Sequence, residues 1–337
     1  MLQDTAGEMK DNLYWQNRFF AFMLRRRSKK FKRILNILPS IIFNCAVKKL
    51  SLCLQFLSLA SGSSGNCYYL GNEEYGILID AGKGVRTIKK VLKEYGIPFE
   101  KIVALCITHD HADHIKAAGT LGEKYGIPIY TTEAIKNGMN RNYCMVDKIY
   151  SAHRPIVKEI PFKIKDFTIT AFEVPHDGSD NVGFFISYGN LYFAFATDLG
   201  HITPTADKYL RQANYLVIES NYDEAMLRNG SYPLHLQRCI LADSGHMDNA
   251  RTAEYLARIY TPALRNIFLC HLSGDNNHPE LAYKTVENRL YEEGIRVGKD
   301  VELVALTRNH PSELYTFEES ERMDWNSAVS GEDDCLG

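Results

Sequence analysis

The 337-residue chain has no Cys-x-x-Cys pair. Its eight cysteines (Cys45, Cys53, Cys67, Cys106, Cys144, Cys239, Cys270 and Cys335) are scattered, several of them inside apolar runs. That pattern excludes a disulfide framework and reads as buried thiols in a reducing, cytoplasmic compartment. No uncharged apolar run reaches ~18 residues, so a clean membrane span is not expected. Strong net charge is also missing: 39 Lys/Arg against 41 Asp/Glu leave −2. The balance is uneven, because residues 1–55 hold eleven Lys/Arg against three Asp/Glu. The remainder is therefore acidic, which argues against a broad nucleic-acid-binding face on the body.

Residues 1–50 read as a basic, disordered extension. RRRSKKFKR (25–33) precedes the apolar ILNILPSIIFNCAV (34–47), the order found in signal peptides. However, Pro39 and Asn44 interrupt the apolar part, and no small-x-small cleavage site follows. A secretion or membrane-surface signal and a nucleic-acid-binding arm are the alternatives. The folded domain is expected over 51–318, with a flexible acidic tail at 319–337.

The body is strand-rich. Apolar runs at 52–59, 67–71 and 75–82 read as strands, and Val85, Ile88, Val91, Leu92 and Tyr95 carry helical spacing over 85–95. A second helix is expected from near Asp113 to the YGIP at 125–128. Strand-type runs follow at 127–131, 156–164, 167–174, 182–188 and 191–197, then helical patterns at 205–213, 234–243, 248–259 and 279–293. Short buried strands are expected at 213–220 and 266–273, with a last one near 301–306. This order predicts a mixed α/β sandwich with helices outside and no domain boundary within 52–318.

The stretch ITHDHADHI (107–115) follows an apolar strand and has the form HxHxDH. Strand alternation puts His109 and His111 on one side. A turn into a helix then brings Asp113 and His114 back over the same point. Imidazole and carboxylate without thiolate suit a zinc, manganese or iron site that is more than structural. Three later stretches repeat one grammar, an apolar strand and then a ligand-type residue: His176 in FEVPHDG, Asp198 in YFAFATDLG and His271 in FLCHLSG.

This set resembles the metallo-β-lactamase fold superfamily. The resemblance implies an α+β fold, a four-layer αββα sandwich with the site at the sheet edges. It implies two divalent metal ions, Zn²⁺ or Mn²⁺. His109, His111 and His176 would bind one, Asp113, His114 and His271 the other, and Asp198 would bridge. Asp80, ending ILID, matches the superfamily's early aspartate and would support the ligand loop from behind.

Further stretches, SLASGSSGNCYYL (58–70), ATDLG (196–200), ESNYDEAML (219–227), GHMDNA (245–250) and FLCHLSGDNNHPE (268–280), resemble the YycJ/WalJ-type branch, related to ribonuclease Z. Asp248 departs from that branch, where a serine is expected. The branch implies a phosphodiesterase or nuclease, 5′-to-3′ DNA exonuclease-like, using a metal-bridging hydroxide. Asp113 would orient that nucleophile and His246, at a helix start, would clamp the phosphate or protonate the leaving oxygen. The expected partner is nucleic acid, DNA before RNA, with homodimer formation left open. The alternative is a small-molecule esterase, lactonase or thioesterase, which would leave the acidic body without further explanation needed.

Weaker candidates for substrate contact are Ser63, Ser64, Asn66, Asn221 and Asn249. SGSSGN (61–66) reads equally as a phosphate-binding nest and as a hairpin turn. Residues 219–233 read equally as a lid and as a surface helix and loop. Lys83, Arg86, His235 and Arg238 are candidate backbone contacts that also suit an ordinary surface.

Overall fold

Several strands of this chain are apolar on both sides, and the architecture follows from where those sides go. A computed structural model describes residues 53–318. The expected extension (1–50) and tail (319–337) lie outside the described residues. Two seven-stranded sheets stack face to face. The first contains β1 (Cys53–Ala60), β2 (Cys67–Gly71), β3 (Gly76–Ile79), β4 (Ile102–Cys106), β5 (Ile129–Thr131) and β6 (His153–Pro155). The second contains β7 (Phe162–Ile164), β8 (Phe167–Glu173), β9 (Val182–Tyr188), β10 (Leu191–Ala196), β11 (Tyr215–Glu219), β12 (Asn266–Cys270) and β13 (Glu302–Ala305). A late strand, β14 (Tyr315–Glu318), returns to the first sheet beside β1.

Alternation explains the continuous apolar runs. In β10, Phe193 and Phe195 point into the space between the sheets, whereas Ala194 and Ala196 face the outer helices. In β12, Phe268 and Cys270 point inward, and Ile267 and Leu269 outward. A strand covered on both faces has no solvated side on which polar residues could alternate. Phe56 of β1 spans the inner layer, with its ring centroid 4.7 Å from that of Phe268 and 6.1 Å from that of Phe195. Helices Pro204–Leu210, Asn249–Ile259 and Pro279–Glu292 cover the second sheet. Helices Val85–Glu94, Ala118–Glu123 and Glu133–Arg141 cover the first. The result is the expected helix–sheet–sheet–helix sandwich.

Two expectations need correction, and one helix is added. The strand expected at 156–164 forms only at Phe162–Ile164. Pro161 has no N–H to offer a ladder, and Ile156 N instead donates to Thr131 O (3.1 Å). The helix expected from Asp113 is broken into Ala112–Ile115 and Ala118–Glu123. There the turn after β3 competes for the backbone: Ala81 N donates to His114 O (2.7 Å) and Ala117 N to Ala81 O (2.8 Å). The structure adds a helix over Glu133–Arg141, which contains Gly138. An added Cβ at Gly138 would meet Asp110 Oδ2 at 1.8 Å, so the glycine is where this helix admits the HDHADH loop.

No helix among the described residues is long and apolar enough to cross a membrane. Cys67, Cys106 and Cys270 are buried free thiols, and burial pushes all three above the ordinary thiol range. In native protein at pH 8, iodoacetamide is expected to modify the exposed Cys239 and to spare these three until denaturant is added. Peptide mass spectrometry reads the result, and prompt native labelling of Cys106 would count against the packed sandwich.

Candidate metal centre

The functional candidates share one edge. β8, β10, β11 and β12 run in one direction, and β3 and β4 run parallel to each other. His176, Asp198 and His271 follow the C-terminal ends of β8, β10 and β12, and Asp80 and His109 follow β3 and β4. Loops leaving such strand ends converge on a common crevice, the general location of sites in open α/β sheets.

His109, His111 and His176 present ring nitrogens within 4.8 Å of one another, as do the ligand atoms of Asp113, His114 and His271. Asp198 reaches both sets, with Oδ1 2.9 Å from His271 Nδ1 and 3.6 Å from His176 Nε2, and Oδ2 3.2 Å from His114 Nε2. All seven expected ligands therefore lie in one cluster. His109 Nε2 and His271 Nε2 are buried without a hydrogen bond, and the buried Asp198 Oδ2 has only His114 Nε2 beside it. Under-satisfied buried polar atoms are costly, and their gathering in one donor-rich cluster is what a divalent cation would satisfy. The nitrogen and oxygen donors present fit such an ion.

The surrounding bonds orient these rings. His114 Nδ1 lies 2.8 Å from Asp80 Oδ2, which turns Nε2 toward the cluster. Asp80 also accepts from Thr108 N (2.9 Å), so the aspartate fastens the HDHADH loop. His176 Nδ1 donates to Gly245 O (3.0 Å), which leaves Nε2 toward His111 Nδ1 (3.3 Å) and the cluster. Asp80 (φ 59°) and His271 (φ 54°) both hold left-handed backbone, roughly 1–3 kcal/mol of strain at a non-glycine residue. His271 is held there by Ser61 Oγ, which accepts from His271 N (2.9 Å), and by Asn221 Nδ2, which donates to His271 O (2.7 Å). Asp110, the other aspartate of HDHADH, turns away and accepts from Ser179 N (2.9 Å) and Ser179 Oγ (2.6 Å).

The charges are mutually dependent. Burial alone would drive the His114 proton off, but Asp198, Asp80 and Asp113 outweigh it and hold that imidazole well above its usual range. Burial likewise opposes ionisation of Asp198, yet His271, His114 and His109 hold it well below the carboxylate range. His109 is pushed well below the imidazole range by burial and then by the neighbouring His114, which leaves it neutral and ready to ligate.

One residue of the cluster was not read from the sequence. Glu219, fully buried at the end of β11, places Oε1 2.7 Å from His246 Nδ1 and 2.9 Å from His271 Nδ1. Its Oε2 accepts from Leu199 N (3.0 Å) and Met247 N (3.1 Å). YLVIES carries the same apolar-strand-then-ligand grammar as the other three stretches, and that was the available signal. His246 does not open the helix; it precedes the Asp248 cap, whose side chain accepts from Arg251 N (2.9 Å). Asp248, the departure from the branch pattern, is thus a helix cap. Burial depresses the His246 proton affinity, but Glu219 more than reverses it and raises that imidazole.

The substrate-contact expectations divide. Asn66, Asn221 and Asn249 are buried and their amides are engaged inside the protein, so direct contact with substrate does not fit them. Asn66 Nδ2 lies 2.9 Å from His114 Nε2 and 3.3 Å from Asp113 Oδ2, and its Oδ1 accepts from Gly62 N (2.8 Å). Asn249 Oδ1 accepts from Ser220 Oγ (2.7 Å) and Asn277 Nδ2 (2.9 Å). Ser63 and Ser64 are exposed. The 219–233 segment starts in this buried network and then forms the short helix Glu224–Asn229. Arg86, His235 and Arg238 are exposed and outside the cluster.

Comparison with known proteins bears on the family and the fold. Residues 75–271 match the family model described as a beta-lactamase superfamily domain. The chain is 35% identical over 251 residues to a Bacillus anthracis protein named exodeoxyribonuclease YycJ, covering 74% of this chain and 94% of that protein. It is also 35% identical over 243 residues to the exodeoxyribonuclease WalJ of Streptococcus pneumoniae, covering 72% and 90%. Among solved structures, the metallo-beta-lactamase fold protein YhfI from Bacillus subtilis superposes with a TM-score of 0.58 at 17% identity, covering 79% of this chain and 99% of that one. The Zn(2+)-bound PqqB of Methylobacterium extorquens superposes with a TM-score of 0.58 at 16% identity, covering 77% and 99%. At such identities those two structures speak to the fold.

Proposed function

The chain belongs to the β-lactamase superfamily, and from that membership we propose that it is a metal-dependent hydrolase of phosphodiesters, a 5′-to-3′ exonuclease acting on DNA in the cytoplasm. The observation that carries the substrate is the Glu219–His246 pair, 2.7 Å apart, set against the ligand cluster. His109, His111 and His176 would hold one divalent ion, Asp113, His114 and His271 a second, with Asp198 between them. Bound Zn²⁺ or Mn²⁺ supplies Lewis acidity there, polarising a phosphate oxygen and acidifying water.

The remaining chemistry belongs to the chain's own groups. Asp113, half-buried at the mouth of the cluster, can accept a hydrogen bond from the attacking water and fix its direction. Glu219 binds His246 through Nδ1 and raises its proton affinity, which favours the form whose Nε2–H can clamp a phosphate oxygen or protonate the leaving oxygen. The ring centroid of His246 lies 5.0 Å from that of His176 and 5.2 Å from that of His271, within reach of a phosphate held at the cluster.

The test is purified protein on end-labelled DNA and RNA, with chelator, then Mn²⁺ or Zn²⁺ restored, beside Asp113→Ala. Chelation and Asp113→Ala should each abolish metal-restored DNA degradation; equal degradation by wild type and Asp113→Ala sinks the reading. Glu219→Gln keeps the size of the side chain and removes its charge. It should lower DNA turnover by about 10–100-fold, the usual cost of losing an outer-shell partner. His246→Ala should likewise lower DNA turnover. If both leave DNA turnover intact while a small carboxylic ester is hydrolysed, ester chemistry is the better reading.

A further inference from the structure

A set of cations lies beside the cluster and takes no part in the chemistry above. Lys83 is half-buried at the start of the segment after β3, and its Nζ donates to Ser64 O and Ser64 Oγ (both 3.0 Å). Arg308 Nη2 donates to Ser63 Oγ (2.9 Å). Ser64 Oγ donates in turn to Asn309 Oδ1 (2.9 Å). Among the described residues, neither Lys83, Arg308 nor the exposed Lys116 forms an ion pair. They are close enough together that Lys116 and Arg308, after burial, help to depress the Lys83 ammonium. Asp113 alone among the carboxylates offsets part of that repulsion at Lys83, and no ion pair closes the group; gathered like charges cost stability, and functional sites are where that cost is retained.

The Arg308 seat is built. Its guanidinium lies against Gly274, where an added Cβ would meet Nη1 at 1.2 Å, and its stem against Gly62, where one would meet Cγ at 2.8 Å. Gly62 has φ +156°, a conformation side chains rarely adopt. Arg308 Nε is buried without a partner. The nearby carboxylate, Asp275, is already engaged by Tyr232 Oη at 2.8 Å. The Ser61–Asn66 loop joins this cation group to the metal cluster directly. Asn66 N donates to Asp113 O (2.7 Å), and Ser61 Oγ receives His271 N (2.9 Å).

We propose that Lys83 and Arg308, with the hydroxyls of Ser63 and Ser64, form a subsite for the terminal 5′-phosphate of the DNA strand. The proposal rests on the nuclease reading and specifies which end the site reads. A phosphomonoester carries nearly two negative charges and three acceptor oxygens, which suits two cations and two hydroxyls better than the single charge of an internal diester. Arginine offers a planar fork to two of those oxygens, and lysine supplies a point charge. Lys116, exposed at the edge, adds long-range attraction.

Two oligodeoxynucleotides, identical except for a 5′-phosphate or a 5′-hydroxyl and labelled at the 3′ end, test this. Binding is followed by fluorescence anisotropy in chelator, which prevents hydrolysis. Wild type should bind the phosphorylated strand about tenfold more tightly, the scale of one charge-assisted hydrogen bond. Lys83→Ala and Arg308→Ala should bring the ratio toward one, and Lys83→Arg should keep most of it. Lys90→Ala, on a distant exposed ion pair with Glu94, should retain the wild-type ratio. Because Arg308 is wedged between glycines, the half-buried Lys83 decides if Arg308→Ala fails to fold. Equal binding of both strands by wild type, or an unchanged ratio in Lys83→Ala, overturns the proposal. Hydrolysis measured separately keeps the two readings apart. Preferential binding without DNA hydrolysis defeats the nuclease reading alone, and hydrolysis without any 5′-phosphate preference defeats the subsite alone.

Discussion

Asp198→Ala is expected to lower DNA turnover by about 10³-fold or more, because a Lewis acid supplies several kcal/mol of charge stabilisation and each 1.36 kcal/mol is tenfold in rate. Asp198 is the carboxylate that reaches both ligand sets, through His271 and His176 on one oxygen and His114 on the other. Its removal takes a negative charge from the centre of five imidazoles, so metal content should fall along with turnover. Loss of turnover alone would not separate a missing metal from a damaged fold. Metal stoichiometry by elemental mass spectrometry and a thermal melt in chelator are therefore measured together. The expected pattern is lost metal and lost activity with the chelated protein still melting cooperatively. Wild-type stoichiometry and turnover in Asp198→Ala would remove this residue from the centre of the site.

The second large effect concerns a residue with no functional group. Gly82→Ala should destabilise the protein by about 3 kcal/mol or more, the upper part of the range for overpacking. That corresponds to a fall of roughly 6–12 °C in Tm for a domain of this size. An added Cβ at Gly82 would lie 1.6 Å from Asp113 O and 2.6 Å from Asn66 N. Both atoms are backbone, and they are bonded to each other at 2.7 Å, so neither can swing aside as a side chain would. The position needs glycine because three chain segments meet there: the exit of β3, the SGSSGN loop and the turn carrying Asp113. Differential scanning calorimetry gives the stability change, and metal affinity should weaken with it because Asp113 and His114 are displaced. A Gly82→Ala protein with wild-type Tm and metal affinity would contradict this packing.

Much of the site was legible because its signals are local. HxHxDH after an apolar run places four ligand-type groups within six residues, and strand alternation plus one turn brings them together. His176, Asp198 and His271 each end an apolar strand, so a single grammar found all three. Glu219 obeys the same grammar but was absorbed into a loop motif. Its role becomes visible only through partners 27 and 52 positions away, His246 and His271. The two aspartates of HDHADH show the same division. The HxHxDH spacing singles out Asp113, but only the structure shows where the other goes: Ser179 engages Asp110 and leaves Asp113 at the cluster.

Asn66 is a weak substrate-contact candidate in the sequence, as part of SGSSGN, yet its amide is spent on His114 and Asp113. The break in the helix after Asp113 was equally hidden, since Ala81 competes for its backbone from a different segment.

What the sequence by itself determined is the pair of double-faced sheets and the kind of atoms at their edges. Periodicity and strand-end chemistry are properties of neighbouring residues. Only the tertiary structure decided which polar groups hold the candidate ligands and which cations gather on the Ser61–Asn66 loop. Those choices depend on buried hydrogen bonds and close backbone approaches between segments far apart along the chain.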